Sequence, residues 1–313
     1  MNESIPEKNA KSSKEFKILD RRYGKSYVKL LHVTRNKNIH TVKEYEVNMF
    51  LTLETEDDYT VGNNKHVVAT DSQKNTVYLL AKQFGIESPE KFALLLVKHF
   101  LTKYAGNVIE ATAEVEEAFK WKRMRGDHCH AFSADSSLTR TCKVTQKSGE
   151  VPQIFVGLKN FRILKSTQSS FVKFVDDEYR TLPCMEDRVF STVVETEWKY
   201  FPSVDMSGKD YDSKFEEIIE HIIDWFAGDS KIGIHSPSVQ MTMYQCLTSI
   251  LSSILQIDYI YMKMPNKHYF SIDLSKFPES VGGAESNYDV FLPVDKPSGI
   301  IEATVGRKDL KKS

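Results

Sequence analysis

Thr70, Asp71, Lys74 and Asn75 place a hydroxyl, a carboxylate, an amine and a carboxamide within a few positions of one another. They follow the apolar run His66-Val67-Val68-Ala69 and precede Val77-Tyr78-Leu79-Leu80-Ala81, so the stretch reads as a strand end, a polar turn and a new helix. Such a cluster either caps the helix or handles a substrate, and from spacing alone the cap is the stronger reading. Three further pieces gain meaning together. Arg188, in Glu186-Asp187-Arg188, stands at the start of a strand and alone reads as an ordinary ion-pair partner. Gln240 lies in the first turn of a helix that opens at Ser236-Pro237-Ser238, where unpaired N–H groups favour an anion. Asn266 and His268 are two apart, so in an extended segment both point to one side. A guanidinium fork, a carboxamide that donates and accepts, and an aromatic face such as Phe171 suit a planar, anionic heterocycle with carbonyl and N–H edges.

His128-Cys129-His130 offers metal-ligating side chains, but no third and fourth ligand follows at a zinc-like spacing. Polar residues at a loop-to-strand boundary are the preferred reading, and no metal site is expected. No Gly-x-Gly-x-x-Gly, Walker loop or Gly-x-Ser-x-Gly elbow occurs, so no common cofactor or nucleotide cradle is advertised.

The elements that must position these residues follow from periodicity. Alternating apolar positions from Tyr27 to Thr34 and from Tyr45 to Leu53 predict two half-buried antiparallel strands joined by a turn at Asn36-Lys37-Asn38. A helix runs from the Thr70 turn to Gln83, and a second begins at Ser88-Pro89 with Phe92, Leu95, Leu96, His99 and Phe100 on one face. A strand follows through Ile109, Ala111, Ala113 and Val115 and ends near Trp121. The second half repeats the order: strands at Phe161–Thr167 and Phe190–Trp198, a helical stripe from Phe215 to Phe226, the Ser236 helix to Ile254, and a strand from Tyr259 into Pro265–Phe270. Antiparallel strands with helices on one face, occurring twice, predict an α+β fold duplicated near residue 150. The expected division is a disordered leader over 1–18, a first domain over 19–150 and a second over 151–313.

Composition narrows the classes. With 313 residues, 41% hydrophobic and 27% charged, the chain has the makeup of a folded protein of two domains of about 150 residues, with a single large domain as the alternative. A formal charge of -1 gives no footprint for nucleic acid or an anionic membrane. The longest apolar run, Phe92–Val97, is far below the roughly 20 residues of a membrane span. Four scattered cysteines without a Cys-x-x-Cys pair argue against a disulfide framework and point to a reducing compartment. Met1–Glu15 lack the apolar core of a signal peptide.

Six segments in register carry a resemblance. Arg22-Tyr23-Gly24-Lys25, Val68-Ala69-Thr70-Asp71-Ser72-x-Lys74-Asn75-Thr76, Leu164-Lys165-Ser166-Thr167-x-Ser169-x-Phe171, Asp187-Arg188, Ser236-Pro237-Ser238-Val239-Gln240 and Met264-Pro265-Asn266-Lys267-His268-Tyr269-Phe270 together resemble the urate oxidase (uricase) family. The resemblance spans about residues 20 to 310. It implies two tandem tunnelling-fold domains, a homotetramer with active sites at subunit interfaces, and cofactor-free oxidation of urate by O2 and water to 5-hydroxyisourate and hydrogen peroxide in purine degradation. By the same resemblance Arg188, Gln240 and the backbone of Val239 grip the urate edges and Phe171 stacks on the ring. Lys25 and Thr70 handle protons from a neighbouring subunit, with His268 in the same relay. Asn266 lies where water or dioxygen sits above the ring, and the Asp71 backbone contacts substrate.

The family's usual compartment is the peroxisome, yet no Ser-Lys-Leu-type tripeptide closes the chain, so a cytoplasmic address is the alternative. Two other readings stay open at this point. One is a metal-using purine or pterin enzyme of the same fold, such as a cyclohydrolase, for which His128-Cys129-His130 is the supporting feature. The other is a purine-binding homologue that has lost the relay, against which Lys25, Thr70 and His268 together argue.

Overall fold

A computed structural model of the chain describes residues 16–202, 204–274, 276, 277, 287 and 289–308. The expected leader lies outside the described residues as far as residue 15, as does the C-terminal Lys311-Lys312-Ser313. In chain order the elements are β1 (Tyr23–Asn36), β2 (Ile39–Leu53), α1 (Asp57–Thr60), α2 (Thr70–Phe84), α3 (Pro89–Lys103), β3 (Val108–Glu117) and β4 (Lys120–Arg123). There follow β5 (Phe132–Asp135), β6 (Thr139–Lys147), β7 (Gln153–Lys165), β8 (Phe190–Tyr200), α4 (Gly208–Phe226), α5 (Val239–Ser253), β9 (Ile257–Ser271) and β10 (Phe291–Gly306). The chain divides into two compact units, Met1–Glu116 with Cys142–Ile154, and Glu117–Thr141 with Phe155–Ser313.

In the first unit β1, β2 and β3 pair antiparallel, and β6 lies beside β3. Tyr45, Val47, Met49, Leu51 and Leu53 are all buried, the alternation that a strand with one covered face requires. The cover is helical. Tyr45 meets Phe92 of α3 with ring centroids 6.5 Å apart, and Tyr78 of α2 donates its hydroxyl to the Lys29 carbonyl at 3.1 Å. Ser88 caps α3, accepting from Lys91 N, with Pro89 at the first position where its missing N–H costs nothing. The buried stripe of α3 is Phe92, Ala93, Leu96, Val97, Phe100 and Leu101, so Leu95 and His99 sit at its margin instead of on it.

In the second unit β7, β8, β9 and β10 form an antiparallel sheet in that order. Tyr211, Phe215, Ile218, Ile222 and Phe226 make the buried stripe of α4, and Trp198, Phe190 and Tyr200 of β8 meet Phe215, Phe226 and Tyr211 across it. Ser207 opens α4 with a capping box closed by Asp210. Trp121 does not extend β3 as its sequence suggests: it belongs to β4, which pairs with β5 in a separate two-stranded ribbon. All four cysteines are free thiols. Among the described residues no helix is long and apolar enough to cross a membrane.

Candidate active site

The first unit holds Lys25, Thr70 and Asp71. Lys25 pairs with Met49 just before a bulge in which β1 gains a residue against β2, Tyr27 taking a positive φ of 59° and donating its N–H to Asn48 Oδ1 at 2.8 Å. A bulge re-aims the side chains beside it, and here it lies one residue beyond Lys25. The neighbouring Gly24 is required by contact, since a Cβ there would stand 1.8 Å from the Met49 carbonyl oxygen. Tyr23 ties the start of β1 to the approach of α2, its hydroxyl accepting from Val68 N at 2.8 Å. Burial pushes that phenol up to about 12, so it stays a neutral hydroxyl.

Thr70 is the first residue of α2, and the cap position falls on Ala69, which has no side chain to cap with. The cap reading of the Thr70 turn is thereby overturned. The Asp71 carboxylate faces along the helix instead, accepting from Lys74 Nζ at 2.7 Å and Asn75 Nδ2 at 3.0 Å. Those bonds, Lys74 first, hold its pKa below the usual carboxylate value, with a smaller contribution from the charge of Lys25. The Thr70 hydroxyl has no hydrogen bond among the described residues. A helix start with an unused hydroxyl, uncapped N–H groups and a lysine charge nearby is suited to pass a proton or meet an anion.

The second unit holds the other six residues on a backbone frame. Ser169 and Ser236 form a parallel bridge, Arg188 N donates to Ser169 O at 2.8 Å, and Phe171 and Met185 exchange both backbone bonds. Asp187 secures the turn, accepting from Thr167 Oγ1 and Ser169 N, bonds that keep its carboxyl ionised and below its usual pKa despite the opposing effect of burial. This frame sets the Arg188 guanidinium 5.4 Å from the Phe171 ring centroid. Among the described residues Arg188 Nε is buried without a hydrogen-bond partner, and burial lowers the pKa of the group. His268 stacks on Phe270 at 5.7 Å, and its pKa is lowered by burial first and by the Arg188 charge second. Asn266 lies two residues earlier on β9, opposite Gly299 at the bulge in β10.

Val239 is the first residue of α5 and Gln240 the second, with Ser238 as the cap that accepts from Met241 N. The helix therefore starts two residues later than Ser236-Pro237 suggests. Ser236 cannot cap because its hydroxyl is already engaged, by Lys165 Nζ at 2.7 Å and Thr242 Oγ1 at 2.8 Å. Val239 is buried and Gln240 exposed, so the carboxamide projects from the first turn.

Phe171, Arg188, Val239, Gln240, Asn266 and His268 thus share one unit, and Lys25, Thr70 and Asp71 share the other. Sequence reasoning did not single out Lys165, Asp187 or Ser236 as site supports, although all three stand inside the quoted motifs. His128, Cys129 and His130 bring their ligating atoms within 4.8 Å of one another. His128 Nδ1 already accepts from Ala131 N at 2.9 Å and His130 N at 3.2 Å, which closes the turn ahead of β5.

The sequence profile of the uricase family matches residues 21–145 and 154–302. The chain belongs to the uricase family. It is 44% identical to the uricase of Drosophila subobscura, over 95% of this chain and 92% of the relative, and 38% identical to that of Oryctolagus cuniculus over 95% and 97%. The crystal structure of uricase from Arthrobacter globiformis superposes with a TM-score of 0.84 at 34% identity, covering 95% of this chain and 98% of that one. The fold is α+β, two tandem tunnelling-fold domains: the repeated strand-and-helix order predicts the α+β duplication, and the resemblance implies the tunnelling fold. Membership makes the protein an enzyme of the oxidoreductase class.

Proposed function

We propose that the protein catalyses oxidation of urate by O2 and water to 5-hydroxyisourate and hydrogen peroxide, a step of purine degradation, with no metal or organic cofactor. Urate is electron-rich and gives up two electrons once a second proton leaves its ring. O2 accepts both electrons and, with two protons, departs as hydrogen peroxide, while water supplies the hydroxyl at C5. The observation that carries the reading is the half-buried Arg188 guanidinium, set over Phe171 with Nε unpartnered and no carboxylate within ion-pair reach among the described residues. A buried cationic donor left open in this way is completed by an anionic acceptor.

In this reading Phe171 stacks on the purine, Arg188 and Gln240 take its carbonyl and N–H edges with the Val239 backbone, and the Asp71 backbone contacts the opposite edge. Lys25 orients Thr70, whose hydroxyl relays a proton through bound water, and His268, held neutral, carries it toward solvent. Asn266 holds water or O2 against the ring. Each of the two sets is incomplete alone, and we assign the complete site to two subunits of a homotetramer, Lys25 and Thr70 coming from a neighbour. Incubation with urate tests the function: its ultraviolet absorbance should fall with matching oxygen uptake, and an inactive but tightly purine-binding protein would favour a relay-less homologue.

A further inference from the structure

Lys165 closes β7 with its ammonium turned into the second unit. Nζ donates to the Ile234 carbonyl at 2.8 Å and to Ser236 Oγ at 2.7 Å, and lies 5.6 Å from the Phe226 ring centroid. Among the described residues no carboxylate lies within ion-pair distance of it, and burial lowers its pKa to about 8. The more distant Asp187 charge offsets only part of that desolvation, and partly burying an amine with no carboxylate in direct contact is costly, so the groups it holds are the ones for which position matters.

Those groups are the approach to α5. Ser236 is 1% exposed and is held from three directions besides Lys165: its N–H donates to Gln168 O, its carbonyl accepts from Ser170 N, and its hydroxyl receives Thr242 Oγ1 from inside α5. Two residues later comes the Ser238 cap, and then Val239 and Gln240. The 168–171 loop on the other side of Ser236 leads to Phe171 and is bonded to the Arg188 backbone. Lys165 therefore sits where the segment carrying the stacking ring, the arginine and the glutamine helix are joined.

We infer that Lys165 is a positioning residue for substrate grip: by clamping Ile234 and Ser236 it fixes the first turn of α5, and so the Val239 amide and Gln240 carboxamide, relative to Arg188 and Phe171. The inference rests on the uricase reading of that grip. The Lys165 bonds run to the segment that leads into the Gln240 helix, and not to the proton-handling Lys25 and Thr70, which lie in the other unit.

Lys165→Met keeps the length and the packing on Phe226 and removes both donated bonds. The expected result is a rise of about tenfold in KM for urate and in Kd for xanthine used as an unreactive probe, with kcat at saturation within about twofold. Ser236→Ala, a smaller change that removes the acceptor, should shift KM in the same direction and serves where Lys165→Met fails to fold. A lysine with only a structural role would lower the thermal midpoint and the active fraction, so kcat would fall with KM unchanged. That outcome, or unchanged KM in both variants, overturns the inference. Failure of the uricase reading is seen separately, as wild-type protein that does not consume urate.

Discussion

Arg188 holds its guanidinium 5.4 Å from the centre of the Phe171 ring while its own backbone N–H is tied to Ser169 O. The side chain is thus fixed at both ends by one small frame, cation on aromatic face and amide on the Ser169 turn. Phe174 stacks on the same ring with centroids 4.7 Å apart, so the proposed purine has to share the Phe171 ring with Phe174 and the guanidinium while it bonds to the cation.

Arg188→Ala should weaken binding of an unreactive purine anion by about 1.5 to 3 kcal/mol, roughly ten- to 150-fold, the range for a hydrogen bond to a charged group. Isothermal titration with wild type and variant measures this. Equal affinity would remove Arg188 from the grip.

Lys25→Met and Thr70→Ala should lower turnover by about 10²- to 10⁴-fold, the usual contribution of general acid–base catalysis, with little change in binding of the same purine. The structural basis is the Thr70 hydroxyl, without a hydrogen bond among the described residues, at the uncapped start of α2. Parallel losses of binding and turnover would contradict the relay.

His268 supplies a pH test. Burial and the Arg188 charge lower its pKa, so below about 6.5 the unfolded chain takes a proton that the native ring still refuses. The unfolded state binds more protons in that window, so this contribution to stability is complete above about 6.5 and is lost as pH falls to the lowered native value. Thermal midpoints followed from about pH 7.5 down to pH 5 should fall less steeply in His268→Gln than in wild type. The acid limb of kcat/KM should lie below 6.5 and move upward in Arg188→Ala, which removes the repelling charge.

Much of this architecture is legible in the sequence where one face of an element is buried. Tyr45, Val47, Met49, Leu51 and Leu53 alternate because β2 lies under helices, and Ser88-Pro89 starts α3 because both residues suit that position. Local signals misled where a side chain had other partners: Ser236 resembles a cap but is taken by Lys165 and Thr242. No strand is expected beyond Phe270, yet Phe291–Gly306 forms β10 with Pro293, Pro297 and Gly299 inside it, its register shifting between Val294 and Gly299. Arg188, Gln240, Phe171, Asn266 and His268 read as a recognition kit from side-chain chemistry, and all five lie in the second unit. Lys25 came from resemblance alone, since no periodicity links a strand lysine to a helix start far along the chain.

If Lys25 and Arg188 act in one site contributed by two chains, two inactive variants should complement. Lys25→Met and Arg188→Ala chains, unfolded and refolded together, should regain part of the wild-type activity through sites that receive an intact set from each. Mixtures no more active than the separate variants would place both sets in a single chain.

The most direct measurement is the stoichiometry of urate, O2 and hydrogen peroxide in protein stripped of metal by chelation and checked by elemental analysis. One urate lost for each O2 consumed and each peroxide released, at the rate seen before stripping, is the predicted result. Absence of urate oxidation, or activity that disappears with the metal and returns when it is restored, would contradict the proposal.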